Sequence, residues 1–405
     1  MIDEFLKIAV RGFVATLATT TSAISVVAVL MCGFAPYTPA EPVFDNDEDA
    51  NSRFIVDFQQ FLVSDIAPHT PGYAVVVVLN GDIALRGGFG VTAVDDSQPV
   101  DSDTVFRLAS LSKSFAAAAV GVLVQRGEVD WDTKIAPLLP ELELKIPDYA
   151  AQLTLRHLLS HSSGLMPHAY TNLVEHRTSY SDILKLMNKV DFICAPGDCY
   201  GYQNVVYSLS GDVVAKVSGE SYEAFATENL FHALNMKSAS YGLESLLNNP
   251  NHASPHVWAR QHWNTVRVKN NYYKVAPAAG VNASINDMGQ WLLAQLGHYP
   301  EVLSPAILTD MHSKIIKTSR SQAHYGQWED FRSVHYGLGW RVFDYDKQPN
   351  FVHHGGWVQG MRSEMIFNPD LQMGMVFLTN SESSQAGDVV PTFLRLYSQY
   401  FLVDY

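Results

Sequence analysis

A β-branched apolar run near the start of the folded part of the chain predicts a β-hairpin. Residues 73–79 are almost all apolar, and residues 83–89 form a second run a few positions later. Asn80-Gly81 separates the two runs, and Asn-Gly in that position favours a tight turn between antiparallel strands.

The pattern near the other end predicts a second pair of strands, and a helical segment is predicted outside each pair. Residues 362–368 and 373–378 are the two strands, and the turn between them contains Pro369. Apolar side chains recur at helical spacing in residues 54–66, and residues 391–401 form a terminal helix. We therefore expect one antiparallel sheet, built from both chain ends, with helices packed on it.

Helical periodicity dominates the middle of the chain, roughly residues 129–310. The clearest helical segments are residues 153–159, 180–188, 205–218 and 286–296. The pattern predicts an α+β fold, in which an all-helical lobe is inserted into a domain that spans residues 53–405. An acidic, polar stretch at 41–52 is interpreted as a linker in front of that domain.

The first 40 residues predict an export segment rather than a part of the fold. No charged residue lies between Arg11 and Glu41, and residues 12–34 are nearly all apolar or small. Two interpretations stay open: a signal peptide cleaved after Thr-Pro-Ala at 38–40, and an uncleaved membrane anchor. Either interpretation predicts that the protein is exported to the periplasm or the exterior. In the second case it stays attached to the inner membrane.

Composition, charge and missing motifs argue against several classes of function. Hydrophobic residues make up 47% of the 405-residue chain and charged residues 17%, which is typical of a globular protein. The formal net charge of -14 argues against nucleic acid and against an anionic membrane surface as partners. The chain also lacks a nucleotide-binding glycine loop, an H-E-x-x-H zinc motif and a G-x-S-x-G elbow, which argues against nucleotide use, a zinc hydrolase and an α/β-hydrolase triad.

Two cysteines, Cys194 and Cys199, flank a Pro196-Gly197 turn. A disulfide between them is favoured in an oxidising compartment, and two free buried thiols are the alternative. A metal site is disfavoured because no other cysteine or nearby histidine completes a set of ligands.

The candidate nucleophile is Ser110, followed three residues later by Lys113. On a helix this spacing places both side chains on one face, so that the amine can reach the hydroxyl. A serine hydroxyl is a weak nucleophile and needs such a base beside it. The alternative is an N-terminal capping serine with a solvated lysine.

A second candidate element is Tyr202 with Asn204. A tyrosine acts as a base only when its pKa falls below about 10, and a nearby ammonium group lowers it. Asn204 can both donate to and accept from a substrate amide. Tyr170 has the same spacing to an asparagine, but Tyr202 precedes an apolar helix and is therefore favoured.

The third candidate element, residues 353–356, has the sequence His-His-Gly-Gly. His353 is the candidate for binding a substrate carboxylate, and adjacent glycines allow a substrate backbone to approach closely. The register is ambiguous because His354 is also followed by glycines. Three other histidines, His252, His256 and His262, lie among polar residues and are interpreted as loop residues.

Together these elements resemble the serine β-lactamase and penicillin-binding superfamily, in the branch of class C β-lactamases, D-Ala-D-Ala peptidases and family VIII esterases. The matching segments are 106–113 (FRLASLSK), 158–165 (LLSHSSGL), 201–211 (GYQNVVYSLSG), 336–340 (YGLGW) and 353–356 (HHGG). The resemblance implies an active site between a sheet lobe and a helical lobe.

The resemblance also implies roles for individual residues. Ser110 attacks a carbonyl, Lys113 and Tyr202 share the proton transfers, and the substrate is held by Asn204, His353 and Gly355. The backbone N–H groups of Ser110 and Gly356 form the oxyanion hole, and the resemblance implies a reaction that needs no cofactor.

One departure from the family pattern bears on the substrate. Class C β-lactamases generally carry a lysine where this chain has His353, and a histidine is mostly neutral at pH 7. The leading hypothesis is therefore an exported serine hydrolase for peptide or ester bonds, with a small-molecule or peptidoglycan-peptide substrate. The alternatives are a class C-like β-lactamase and a non-catalytic β-lactam sensor or scaffold.

Overall fold

A mixed α+β architecture is built around one long antiparallel sheet. The computed structural model describes residues 50–319, 328 and 331–402, so the predicted export segment at 1–40 lies outside the described residues. The strands are β1 Gly72–Leu79, β2 Asp82–Ala93, β3 Asp96–Pro99, β4 Val105–Arg107, β5 Ser240–Tyr241, β6 His256–Ala259, β7 His262–Thr265, β8 Val281–Ser284, β9 Ile316–Lys317, β10 Phe331–Tyr336, β11 Arg341–Tyr345, β12 Gln348–Val358, β13 Met361–Asn368 and β14 Met373–Thr379.

Helices occupy both ends of the described chain and most of its middle. They are α1 Ala50–Phe61, α2 Ser112–Gln125, α3 Pro147–Ala150, α4 Leu155–Leu159, α5 Thr171–Glu175, α6 Tyr180–Leu184, α7 Asn204–Ser218, α8 Tyr222–Ala226, α9 Leu243–Asn248, α10 Ala276–Ala279, α11 Ile285–Gln295, α12 Pro305–Met311 and α13 Val389–Tyr397. None of the helices in the described part of the chain has the length and apolar character needed to cross a membrane.

The sheet joins both ends of the chain, as the apolar pattern predicts. Its strand order is β3-β2-β1-β14-β13-β12-β11-β10-β9 among the described residues, and β1 pairs antiparallel with β14. The predicted hairpin of β1 and β2 is confirmed, with positive φ angles of 54° at Asn80 and 83° at Gly81. This is the combination of angles that a two-residue turn between twisted strands requires.

Strand β1 is apolar throughout because both of its faces are buried. Its even-numbered residues from 74 to 78 pack into one core with helices α2, α7 and α11. Its odd-numbered residues from 73 to 79 pack into a second core with α1 and α13. A strand with two apolar faces shows a continuous hydrophobic run rather than an alternation.

The middle of the chain is mainly helical, and it also contains short strands that the periodicity did not predict. The predicted helices correspond to α4, α6, α7 and α11. A three-stranded sheet, β4-β8-β5, and a separate hairpin, β6-β7, are additional. Strands of two to four residues are too short to give a periodic signal.

His256 corrects the prediction of three loop histidines. It is buried at the start of β6, where its Nδ1 contacts the Asn380 carbonyl at 2.9 Å and its Nε2 accepts from the Val94 N–H at 3.1 Å. His262 begins β7, and His252 forms an isolated bridge with Val105. The partners of His256 come from segments more than 100 residues away, and local polarity therefore gave the wrong prediction.

Candidate active site

The nucleophile segment is fixed by hydrogen bonds to two sheets. Strand β4 pairs with β8, and the Leu108 N–H donates to the Val281 carbonyl at 2.9 Å. The Ser363 hydroxyl of β13 donates to the Leu108 carbonyl at 2.7 Å. Between them the buried Ala109 adopts a left-handed φ of 48°, which costs energy for a residue with a side chain. The surrounding contacts hold this turn, and it places Ser110 directly before helix α2.

Lys113 is completely buried, and its terminal nitrogen contacts three oxygens. The Nζ atom lies 2.7 Å from Asn204 Oδ1, 3.0 Å from the Ala278 carbonyl and 3.4 Å from Ser110 Oγ. Burial lowers the pKa of Lys113 well below its usual value, and the nearby charge of Arg341 lowers it further. Burial thus favours the neutral amine over the ammonium ion.

The stereochemistry of a neutral amine fits these three contacts. An uncharged –NH₂ group has two hydrogens and one lone pair. If its hydrogens go to the two amide-type acceptors, Asn204 Oδ1 and the Ala278 carbonyl, its lone pair is available for the Ser110 hydroxyl. Lys113 is then a base positioned to take the proton of Ser110.

Tyr202 is half-buried, and its side chain lies beside that of Ser110 in the cavity lining. Its ring centroid lies 4.6 Å from Lys113 Nζ and 5.9 Å from Arg341 Cζ. Burial raises the pKa of Tyr202 above its usual value of 10, although Ser110 and the Arg341 charge act in the opposite direction. The sequence-based expectation of a lowered tyrosine pKa is therefore not met, because loss of hydration outweighs the nearby charges. Tyr202 remains a protonated hydroxyl beside the nucleophile.

The segment before α7 is held in place by the turn at residues 160–165. The Gly201 N–H donates to the His161 carbonyl at 2.8 Å, and the Gln203 N–H donates to His161 Nδ1 at 3.2 Å. Burial lowers the pKa of His161 well below its usual value, so its ring stays neutral and can accept this bond. The turn motif thus positions Tyr202, which lies between these two N–H groups in the chain.

The predicted disulfide is present in the structure, in the loop that leads to Tyr202. Cys194 and Cys199 are bonded, with their Cα atoms 6.2 Å apart. The Gly197 N–H, inside this loop, donates to the Ser162 carbonyl at 2.8 Å. The loop therefore packs against the same turn that holds Tyr202.

Tyr170, the alternative tyrosine, has a structural contact elsewhere. Its hydroxyl donates to the Leu186 carbonyl at 3.0 Å, and its backbone precedes the short helix α5. The structure brings Tyr202, rather than Tyr170, to Ser110.

Strand β12 supplies the third element and resolves its register. His353, Gly355 and Gly356 line the same cavity as Ser110. His354 is on the other face of the strand, where its Nε2 lies 2.8 Å from the Tyr336 hydroxyl. A Cβ atom on Gly356 would lie 2.1 Å from the Leu108 carbonyl oxygen and 3.0 Å from the Ser110 nitrogen. Only glycine fits there, and its backbone lies close to the Ser110 segment.

The cavity in front of Ser110 has a volume of about 700 Å³. The catalytic and substrate-contacting residues predicted from the sequence all line it except the buried Lys113, and its lining also includes five residues with ionisable side chains that were not predicted. These are His168, Tyr272, Arg341, Arg362 and Glu364. A signal existed for two of them, since Arg362 and Glu364 are charged residues at alternate positions of a predicted strand.

Three of the lining side chains form a hydrogen-bonded row. Glu364 Oε2 lies 2.8 Å from His353 Nε2, and Glu364 Oε1 accepts from Arg362 Nε at 2.7 Å. The Arg362 charge and the His353 hydrogen bond lower the pKa of Glu364 to about 2, against the effect of burial. Burial lowers the pKa of His353 although Glu364 raises it, so the histidine is mainly neutral.

The chain is similar to known proteins over almost all of its described length. The sequence model of the beta-lactamase family matches residues 52–399. Protein flp of Staphylococcus aureus (strain MW2) is 22% identical over 329 residues, which are 80% of this chain and 62% of that protein. The chain thus spans less than two thirds of that relative. The Beta-lactamase of Escherichia coli (strain K12) is 25% identical over 340 residues, 76% of this chain and 84% of that protein.

Solved structures share the fold. The octameric penicillin-binding protein homologue from Pyrococcus abyssi superposes with a TM-score of 0.72 at 22% identity, covering 86% of this chain and 77% of that one. The crystal structure of SurE gives a TM-score of 0.68 at 19% identity, covering 87% and 76%. From the family match and this shared β-lactamase/transpeptidase-like architecture, we conclude that the chain belongs to the beta-lactamase family.

Proposed function

We propose that the protein is a serine hydrolase that forms an acyl-enzyme on Ser110 and cleaves ester or peptide bonds. The observation that carries this proposal is the position of Lys113: completely buried, 3.4 Å from Ser110 Oγ, and hydrogen-bonded to Asn204 and Ala278. A buried lysine has little structural value because desolvation of its charge is unfavourable. Beside a serine that faces a cavity, its neutral form serves as a general base.

The proposed reaction assigns one group to each step. Ser110 Oγ attacks the substrate carbonyl while its proton passes to Lys113 Nζ. The N–H groups of Ser110 and Gly356 stabilise the oxyanion. The proton returns through the Tyr202 hydroxyl to the leaving alcohol or amine as its bond to the carbonyl carbon breaks. Water then attacks the acyl carbon and gives a proton to Lys113. As the ester bond to Ser110 Oγ breaks, Lys113 returns that proton to Oγ, and the acid and the free serine are released.

The proposed setting is an exported protein in the periplasm or outside the cell, with the N-terminal segment as signal peptide or membrane anchor. The disulfide between Cys194 and Cys199 supports an oxidising compartment. A small ester or a peptidoglycan peptide is the proposed substrate, and β-lactam hydrolysis is the alternative that the test below separates. Asn204, His353 and Gly355 are the proposed contacts to it.

The test uses the full chain with three substrates: p-nitrophenyl butyrate, nitrocefin and a D-Ala-D-Ala peptide. We expect turnover of the ester or the peptide, and a loss of about 10⁴-fold or more in Ser110→Ala, as is typical for a removed nucleophile. The matched control is Ser181→Ala, an exposed serine that should leave the rates unchanged. Turnover of nitrocefin alone supports a β-lactamase. If Ser110→Ala equals the parent on every substrate, the catalytic proposal is wrong and a binding role is favoured.

A further inference from the structure

Trp357 is a large apolar side chain that stays mostly exposed beside the nucleophile. Its exposed fraction is 66%, and it lines the same cavity as Ser110. It directly follows Gly356, whose N–H is assigned to the oxyanion hole in the proposed reaction, and consecutive Cα atoms lie about 3.8 Å apart. The indole is therefore close enough to contact a substrate whose carbonyl group lies at Ser110.

Strand pairing places the indole on a face of the sheet that the cavity follows. His353, Gly355 and Trp357 alternate along β12, so they lie on one face of that strand. On β13, Glu364 is the register partner of Gly355, and Arg362 is the register partner of Trp357. All five residues line the cavity. The side chain of Trp357 therefore projects from a wall of the cavity in front of Ser110.

The ring of Trp357 is uncovered, unlike that of the other tryptophan in the cavity lining. The ring centroid of Trp328 lies 5.5 Å from that of His353 and 4.9 Å from that of Phe331. Among the residues that the structure describes, none forms a ring contact, a cation–π contact or a hydrogen bond with the side chain of Trp357. Its indole thus presents a flat apolar surface and one N–H donor.

Trp258 shows what an exposed tryptophan looks like outside the cavity. It is 60% exposed, and its ring packs edge-to-face on Trp263 with the centroids 5.2 Å apart. Neither of these two residues is among those that line the cavity. Single exposed apolar side chains are common on protein surfaces, whereas apolar and aromatic side chains that line a concave pocket are typical of ligand sites. The position of Trp357 therefore favours a small-molecule contact.

We propose that Trp357 determines specificity by stacking its indole on an aromatic ring of the substrate while the substrate carbonyl lies at Ser110. The substrate class is then an ester or amide with an aromatic group close to the bond that is cleaved. This inference rests on the proposed function for its effect on rates. The stacking itself is a binding property that is measured without turnover.

The kinetic test uses two pairs of esters in which a phenyl ring is replaced by cyclohexyl. p-Nitrophenyl phenylacetate and cyclohexylacetate differ on the acyl side, and benzyl and cyclohexylmethyl butyrate differ on the alcohol side. In at least one pair, Trp357→Leu should lower the phenyl-to-cyclohexyl ratio of kcat/KM by about threefold to tenfold, the value of an aromatic pair beyond its area. Trp357→Phe, which keeps a ring, should retain most of the ratio.

Trp258→Leu is the matched control, because it removes an equally exposed indole outside the cavity lining. It should leave the ratio in both pairs unchanged. Comparing variants on the same esters cancels the difference in intrinsic reactivity between the phenyl and cyclohexyl compounds. The proposal is overturned if Trp357→Leu also leaves both ratios unchanged, including the case in which it slows all the esters equally.

The second measurement follows the indole N–H signals of the full chain by ¹⁵N NMR during titration with phenylacetamide or cyclohexylacetamide. The signals of Trp357 and Trp258 are assigned by their loss in the two leucine variants. We expect a saturable shift at Trp357 that is larger with phenylacetamide, and no shift at Trp258. A Trp357 signal that does not move, or an equal shift at Trp258, contradicts the stacking. If the parent hydrolyses none of the esters, the proposed function fails, whereas the titration still decides whether Trp357 binds an aromatic ring.

Discussion

The proposed role of Lys113 as a base depends on the groups that surround its side-chain nitrogen. Its nitrogen contacts Asn204, Ala278 and Ser110, and two independent effects lower its pKa, burial first and the charge of Arg341 second. The amine is a base only when it is unprotonated. The rate at low pH should therefore report the protonation of this one residue.

We predict that kcat/KM rises with pH through the lowered pKa of Lys113 and then reaches a plateau. Below that pKa the ammonium ion cannot accept the proton of Ser110; above it the amine can. Arg341→Gln removes a nearby positive charge and should raise the pKa, so the rise moves to higher pH. A pH–rate profile of both proteins is the measurement, with Arg332→Gln as an exposed control. A rise that stays at the same pH in Arg341→Gln contradicts this assignment.

The motif residues were predictable from the sequence, and their electrostatic state was not. Ser110, Lys113, Tyr202 and Asn204 lie within local patterns, and the structure brings them together. The pKa of Tyr202 depends on its surroundings in the folded protein, where its ring contacts His161, His168 and Arg341, residues that are distant in sequence. Glu364 was missed for the same reason, because it contacts His353 only through the pairing of β13 with β12.

At the scale of elements, hydrogen bonds between loops and turns fix the position of the candidate site. The turn at 160–165 holds the Tyr202 segment through His161, and the disulfide loop holds the turn through Gly197. The periodicity of α7 predicted the helix, but it contains no information on how the segment before it is held. Hydrogen bonds between separate loops leave no periodic pattern in the sequence and are seen only in the folded structure.

Removal of the disulfide should weaken this arrangement without abolishing it. In Cys194→Ser/Cys199→Ser we expect a loss of about 2 kcal/mol of unfolding free energy, the chain-entropy value for a short loop. We also expect a fall in kcat/KM, because the Tyr202 segment becomes less well held. Denaturant unfolding and ester hydrolysis are the measurements, and Cys32→Ser is the matched control. Thiol titration of the unfolded, unreduced parent should find one thiol of the three cysteines; three thiols would contradict the disulfide.

At the scale of the whole molecule, the long sheet has a hydrophobic core on each face, and the residues of the candidate site lie on the side of one of them. The apolar runs of β1 and β14 predicted the sheet correctly, because a strand buried on both faces is uniformly hydrophobic. Ser110, Lys113 and α7 lie with one core. The other core joins α1 to α13 through edge-to-face aromatic contacts, with Phe54 5.5 Å from Phe393 between ring centroids.

Phe54→Ala should therefore destabilise the protein while leaving its catalytic constants unchanged. Phe54 is completely buried, and its ring contacts Phe58, Phe393 and Tyr397. Truncation of such a ring typically costs about 3–5 kcal/mol. We expect denaturant unfolding to show that loss, and kcat/KM at 25 °C to equal the parent's as long as the protein is folded. The exposed Val63→Ala is the control for both measurements. A change in kcat/KM of the folded variant would mean that the two cores are coupled through the sheet, and that the position of Ser110 depends on the terminal helices.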